Sequence, residues 1–89
     1  MNTIIKNACA GTLESSDVFV ELAPGNGGVE IELESVVESQ FGEEICQVVR
    51  SVLEDQQISS AHVRVVDRGA LECVIRARVE AAVLRGKGE

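Results

Sequence analysis

Eighty-nine residues with a net charge of −7 describe one small domain with a thin core and little room for an enclosed pocket. Hydrophobic residues make up 45% of the chain, which argues against disorder, while the aromatics are two phenylalanines. Val, Ile, Leu and Ala must therefore build the core. The acidic balance would repel a phosphate backbone, so nucleic acid is excluded as a natural partner.

No apolar run approaches the roughly 18 residues that a membrane helix needs. The N-terminal residues also lack the basic stretch followed by an apolar core that marks a secretory signal, so a cytoplasmic location is expected. Cys9, Cys46 and Cys73 are odd in number, far apart and without CxxC or CxxH spacing. Neither a disulfide framework nor a metal site is expected. They read as free thiols that fill small spaces in the core.

Residues 1–7 read as a loose end from which Ile4 and Ile5 touch the core. Cys9 to Leu13 reads as a short strand. From Asp17 to Ala23, Val18, Val20 and Leu22 alternate with Phe19, Glu21 and Ala23, the period of a strand with one buried face. Pro24-Gly25-Asn26-Gly27-Gly28 is a strong turn signal. After it Val29, Ile31 and Leu33 alternate with Glu30, Glu32 and Glu34. The two strands are expected to form a β-hairpin. The glycine-rich turn lacks the GxxxxGK[ST] pattern and is followed by a strand, so it does not read as a phosphate loop. The glutamate row reads as a solvated face that guards against edge pairing, not as a cation site.

Ser35 and Glu38 have capping-box spacing, and Val37, Phe41, Ile45, Val48, Val49, Val52 and Leu53 follow at helical intervals. A helix is expected to about Gln56, starting after Ser35 or nearer Gln40. Ala61, Val63 and Val65 then alternate with His62, Arg64 and Val66 in a further strand ending at Asp67-Arg68-Gly69. His62 should be exposed or lie beside the glutamates, and no nucleophile and carboxylate attend it as a catalytic base. A second helix is expected from Ala70 to about Arg85, burying Leu71, Val74, Ile75, Val79, Ala82 and Val83; residues 86–89 read as a loose end. Arg64, Arg68, Arg76, Arg78 and Arg85 read as salt-bridged surface, with a phosphate-holding patch as the competing reading. The order βββαβα predicts an α+β domain: a small, mostly antiparallel sheet of about four strands with two amphipathic helices on one face.

Between the first two strands lies Gly11-Thr12-Leu13-Glu14-Ser15-Ser16-Asp17, short, polar and turn-prone. No His, Cys or Lys sits within it, and a serine without a base is a poor nucleophile. It is a good acceptor for a group that another enzyme attaches. Ala10-Gly11-Thr12-Leu13-Glu14-Ser15-x-Asp17-Val18 resembles the attachment motif of the acyl carrier (gamma) subunit of citrate lyase. Gln40-Phe41-Gly42 and Asp67-x-Gly69-Ala70-Leu71-x-Cys73-x-x-Arg76-Ala77-Arg78-x-Glu80-Ala81 resemble further blocks of that family, in the same order. The resemblance spans roughly residues 8–85, so residues 1–89 are expected to form a single acyl carrier domain.

The resemblance implies a non-catalytic subunit. It implies that Ser15 forms a phosphodiester with phosphoribosyl dephospho-coenzyme A, derived from 2′-(5″-triphosphoribosyl)-3′-dephospho-coenzyme A. The family often has glycine at the next position, where this chain has Ser16. The implied partners are the alpha (acyl transferase) and beta (acyl lyase) subunits, the prosthetic-group transferase and the acetylating ligase. Citrate would be cleaved to acetate and oxaloacetate; a citramalate lyase carrier would look alike. Glu14 and Asp17 flank the serine, and either would repel phosphates on the arm. The reading from a different class is a small regulatory or interaction module with no covalent arm.

Overall fold

A computed structural model describes residues 3–35 and 38–88. The chain runs β1 (Ala8–Gly11), β2 (Val18–Pro24), β3 (Val29–Ser35), α1 (Glu38–Asp55), β4 (Ala61–Asp67) and α2 (Glu72–Gly86), the expected βββαβα order. The four strands form one sheet in the order β1-β2-β4-β3. β1 pairs with β2 and β2 with β4, both antiparallel, whereas β3 lies parallel to β4. The sheet is thus mixed, and β3-α1-β4 is a βαβ unit whose parallel pairing requires a long crossover.

The expected hairpin between β2 and β3 does not form, because β4 inserts between them. Alternation shows which side chains share a face; it is silent on which strand lies alongside. The strand inventory explains the outcome. β4 buries Ala61, Val63, Val65, Val66 and Asp67, so it belongs at the centre. β3 carries exposed Glu30, Glu32 and Glu34, which suit an edge strand. The glycine-rich segment therefore crosses the start of β4. The Ala61 N–H donates to the Gly28 carbonyl at 3.0 Å, and the Gly27 N–H to Ser60 Oγ at 3.1 Å. Gly25 lies so close to the Ala61 backbone that a side chain would overlap it.

The sheet has one dry face. Ala10, Val18, Val20, Leu22, Val63 and Val65 pack with Ile45, Val49, Val52 and Leu53 of α1 and with Ile75, Val79, Ala82 and Val83 of α2. On the other face Cys9, Glu21, Arg64 and Glu32 share a row, and the next row brings His62 beside Glu30. His62 stands 3.4 Å from both Glu30 and Glu32, as the alternation implied.

Val36 and Val37 lie outside the described residues, as do the side chains of residues 38–41, so the capping-box pair and Phe41 receive no structural account. Ser35 closes β3, and its hydroxyl donates to Asp67 at 2.8 Å.

Three expectations need correction. Leu71 is 71% exposed, because it precedes the first turn of α2 instead of sitting on its inner face. Cys9 and Cys73 are exposed and Cys46 is half-buried, so none of the free thiols fills the core. Cys9 falls on the open face of the sheet, and Cys73 on the outer side of the first turn of α2. Ile5, expected to touch the core together with Ile4, is exposed; Ile4 is buried as expected, and the N–H groups of Ile5 and Lys6 reach the Gly86 carbonyl.

Candidate functional site

The β1–β2 connection, residues 12–17, stands at the end of the sheet where β3 and β4 finish, and its first five residues are exposed. Its shape follows from the side chains at its two ends. Gly11 has φ +95°, in the left-handed region that only glycine enters freely. A Cβ there would overlap the Val18 carbonyl oxygen, so β1 and β2 approach as they do because the side chain is missing.

Thr12 then donates its hydroxyl to Asp17 Oδ2 at 2.6 Å and accepts the Glu14 N–H at 3.2 Å. The Asp17 N–H closes the turn onto the Glu14 carbonyl at 3.1 Å. Arg78, reaching across from α2, grips the carboxylate with two donors, Nε to Oδ1 at 3.1 Å and Nη2 to Oδ2 at 2.9 Å. That fork-on-carboxylate geometry is the strong form of the ion pair. The backbone joins the loop to the end of β4: the Ser16 N–H donates to the Arg68 carbonyl at 2.8 Å, and the Arg68 N–H to the Asp17 carbonyl at 2.9 Å.

Ser15 and Ser16 are both exposed, but their backbones differ. Ser16 has φ +67°, a left-handed conformation that costs an L-residue roughly 1–2 kcal/mol and glycine nothing. That is the physical reason a glycine would be at home there. Among the described residues nothing hydrogen-bonds the Ser15 hydroxyl, which stands at the tip of a loop fastened on both sides. The loop holds no histidine, lysine or cysteine, and the sole histidine lies on the open face beside Glu30 and Glu32. The loop therefore presents a hydroxyl and has no means to activate it.

Asp17 is not the free repelling charge that its place in the sequence suggested. The hydrogen bond from Thr12, then those from Arg78 and from the Val18 N–H, hold its carboxyl at about 2 against an ordinary 3.8. A depressed folded pKa contributes stability that is complete above 3.8 and is lost as pH falls through about 2. In Asp17→Asn this acid-sensitive contribution should vanish: urea midpoints followed downward in pH should fall less steeply below 3.8 than in the wild type. Equal steepness in the two proteins would contradict the anchoring role.

The remaining arginines are dispersed. Arg64 pairs with Glu21 on the open face, Arg76 with Glu72 along α2, and Arg85 donates to the Cys9 carbonyl at 2.7 Å. They do not form one patch, as the salt-bridged reading expected. Sequence reasoning missed the Asp17–Arg78 pair, whose members are 61 positions apart. It also missed the role of Asp67, 2% exposed, which accepts from Ser35 Oγ and from the N–H groups of Gly69 and Ala70. The Asp-x-Gly spacing was the available signal for the second of these. Among the described residues no cluster of His, Cys, Asp and Glu is arranged to hold a metal ion.

A small α+β domain that holds out an unactivated serine on a braced loop has the design of a carrier. Comparison with known proteins agrees. Residues 5–86 match a family model described as "ACP: Malonate decarboxylase delta subunit (MdcD)". The chain is 55% identical over 83 residues to the citrate lyase acyl carrier protein of Escherichia fergusonii, spanning 92% of this chain and 86% of that one. With the namesake from Vibrio cholerae serotype O1 the identity is 57% over 79 residues, spanning 88% and 81%. A solved structure, that of a Pseudomonas malonate decarboxylase hetero-tetramer in complex with malonate, contains a chain of the same fold. It superposes with a TM-score of 0.81 at 22% identity, over 94% of this chain and 87% of that one. The chain belongs to the citrate lyase acyl carrier protein family. It is accordingly a carrier and not itself a catalyst.

Proposed function

We propose that this chain is the acyl carrier subunit of a citrate lyase and that Ser15 is the residue to which its prosthetic group is attached. The observation that carries this reading is the exposed Ser15 hydroxyl at the tip of a loop whose flanks are held by Gly11, Thr12, Asp17 and Arg78. The residues present fit such a group. An acceptor oxygen stands clear of the protein surface, on a segment short enough to be fixed by its neighbours, next to a left-handed residue that turns the chain away.

The group, phosphoribosyl dephospho-coenzyme A, supplies when bound a terminal thiol suited to thioester exchange of acetyl and citryl groups. The protein's own residues supply position. The loop holds no histidine, and the Asp17 carboxylate is occupied by Thr12 and Arg78, so a separate prosthetic-group transferase takes the Ser15 proton. Bracing by Asp17 and Arg78 keeps the attachment point in one place relative to the domain, so alpha and beta subunits docked on the carrier would each receive the acyl group from a fixed root. Tethering raises the local concentration of that group to about millimolar. The exposed Glu14 is free to meet a basic patch on such a partner. An acetylating ligase would prime the thiol, and a cytoplasmic location fits these partners.

The test is reconstitution of the loaded chain with the catalytic subunits of a citrate lyase, a citramalate lyase or a malonate decarboxylase in turn, each supplied with its own substrate. Oxaloacetate from citrate, with no turnover of the other two, is the expected result. Turnover of citramalate or malonate alone would assign the carrier to a different complex.

A further inference from the structure

Arg68 carries the one buried side-chain nitrogen or oxygen among the described residues that lacks a hydrogen-bond partner: its Nε. A guanidinium is charged at every working pH, and withholding a partner from one of its buried donors is costly. The other arginines close to the loop and on the sheet are occupied: Arg78 by Asp17, Arg64 by Glu21, Arg76 by Glu72 and Arg85 by the Cys9 carbonyl. Asp17 cannot relieve Arg68, since its carboxylate is already taken by Thr12, Arg78 and the Val18 N–H. The carboxylate of its chain neighbour Asp67 is engaged by Ser35, Gly69 and Ala70.

The position of Arg68 is as telling as its vacancy. Its own carbonyl accepts the Ser16 N–H at 2.8 Å, and its own N–H donates to the Asp17 carbonyl at 2.9 Å. The residue with the unfilled cationic donor is thus bonded, through its backbone, to the residue next to Ser15. A phosphodiester on Ser15 would therefore carry its single negative charge one residue along the chain from the backbone that Arg68 holds.

We propose that Arg68 is the phosphate-holding residue of this carrier, its guanidinium pairing with the phosphodiester once Ser15 is loaded. This rests on the reading of Ser15 as the attachment point and adds a role for a residue outside the attachment motif. Arginine suits it because its planar fork matches two phosphate oxygens and stays charged when water is excluded. The consequence is an arm whose root is held against the domain while its thiol end remains free. Arg68 is then a positioning residue, and loading satisfies a donor that the unloaded chain leaves unpaired.

The experiment compares the unloaded and loaded wild-type chain by nitrogen–proton NMR of the arginine Nε–H groups, and repeats the comparison with Arg68→Gln and Arg68→Lys. On loading, the Arg68 Nε–H resonance should move downfield and its exchange with water should slow roughly tenfold or more. The phosphorus resonance of the phosphodiester should be broader in the wild type than in loaded Arg68→Gln, with Arg68→Lys between them. An Arg68 Nε–H signal unchanged by loading, while signals of residues 12–17 shift, would overturn the proposal and leave the attachment at Ser15 intact. A chain that takes no group at Ser15 would overturn both. The wild-type comparison decides the matter even if a variant folds poorly.

Discussion

Gly11→Ala should destabilise the domain by roughly 3 kcal/mol or more, combining about 1–2 for a left-handed L-residue with about 1–3 for overpacking. The backbone at Gly11 has φ +95°, and a Cβ there would overlap the Val18 carbonyl oxygen. Neither element can yield cheaply. Val18 is fully buried, and the Gly11–Phe19 and Val18–Asp67 pairings hold both strands in register. The new methyl would also stand 3.3 Å from Arg78 Cδ, the carbon that carries the guanidinium gripping Asp17. For a domain of this size, a loss of that order lowers the melting temperature by roughly 10–20 °C. The pairing of Asp17 should loosen with it. Urea unfolding measures the first effect, and carboxyl titration by NMR the second. A loss below about 1 kcal/mol would mean that β1 can move away from β2 at little cost, and that the loop is not fixed from this side.

Ser15→Ala is expected to do the reverse: leave the fold unchanged and abolish loading. The side chain is exposed and has no partner among the described residues, so its removal should change stability by no more than about 0.5 kcal/mol. Incorporation of a labelled prosthetic-group precursor by the transferase should fall to background. Ser16→Gly is the companion experiment. Glycine accepts φ +67° without strain, so this variant should load like the wild type and be as stable or slightly more so. Label retained in Ser15→Ala and lost in Ser16→Gly would move the attachment to the second serine.

Much of the fold was legible because helices and strands announce themselves by period. Glu30, Glu32 and Glu34 gave the wet face of β3, and Ile75, Val79, Ala82 and Val83 the dry stripe of α2. What period does not carry is lateral order. Pro24–Gly28 looks the same whether it folds one strand back on the next or leads the chain across a third. Only the apolar content of β4 against the carboxylates of β3 hints at which is central. Cysteine hydrophobicity misled for a related reason, since the small thiol of Cys9 sits on a strand face that no helix covers.

The site was legible in one respect and hidden in another. The motif marked Ser15 and its neighbours by resemblance, and their physical roles came only with tertiary structure. Gly11 permits close approach, Thr12 bridges the loop, Ser16 turns it and Asp17 anchors it to a helix 61 residues away. Arg68 and Arg78 look alike in the sequence. One is consumed in holding the loop, and the other is left unpaired beside it.

The central claim is that this chain carries a covalent arm on Ser15, and intact mass with peptide mapping tests it most directly. The wild-type chain, incubated with prosthetic-group transferase and the activated precursor, should gain a single mass increment equal to phosphoribosyl dephospho-coenzyme A. The increment should map to Ser15. An unchanged mass, under conditions that fully load an authentic citrate lyase carrier, would contradict the account and favour a small interaction module without an arm.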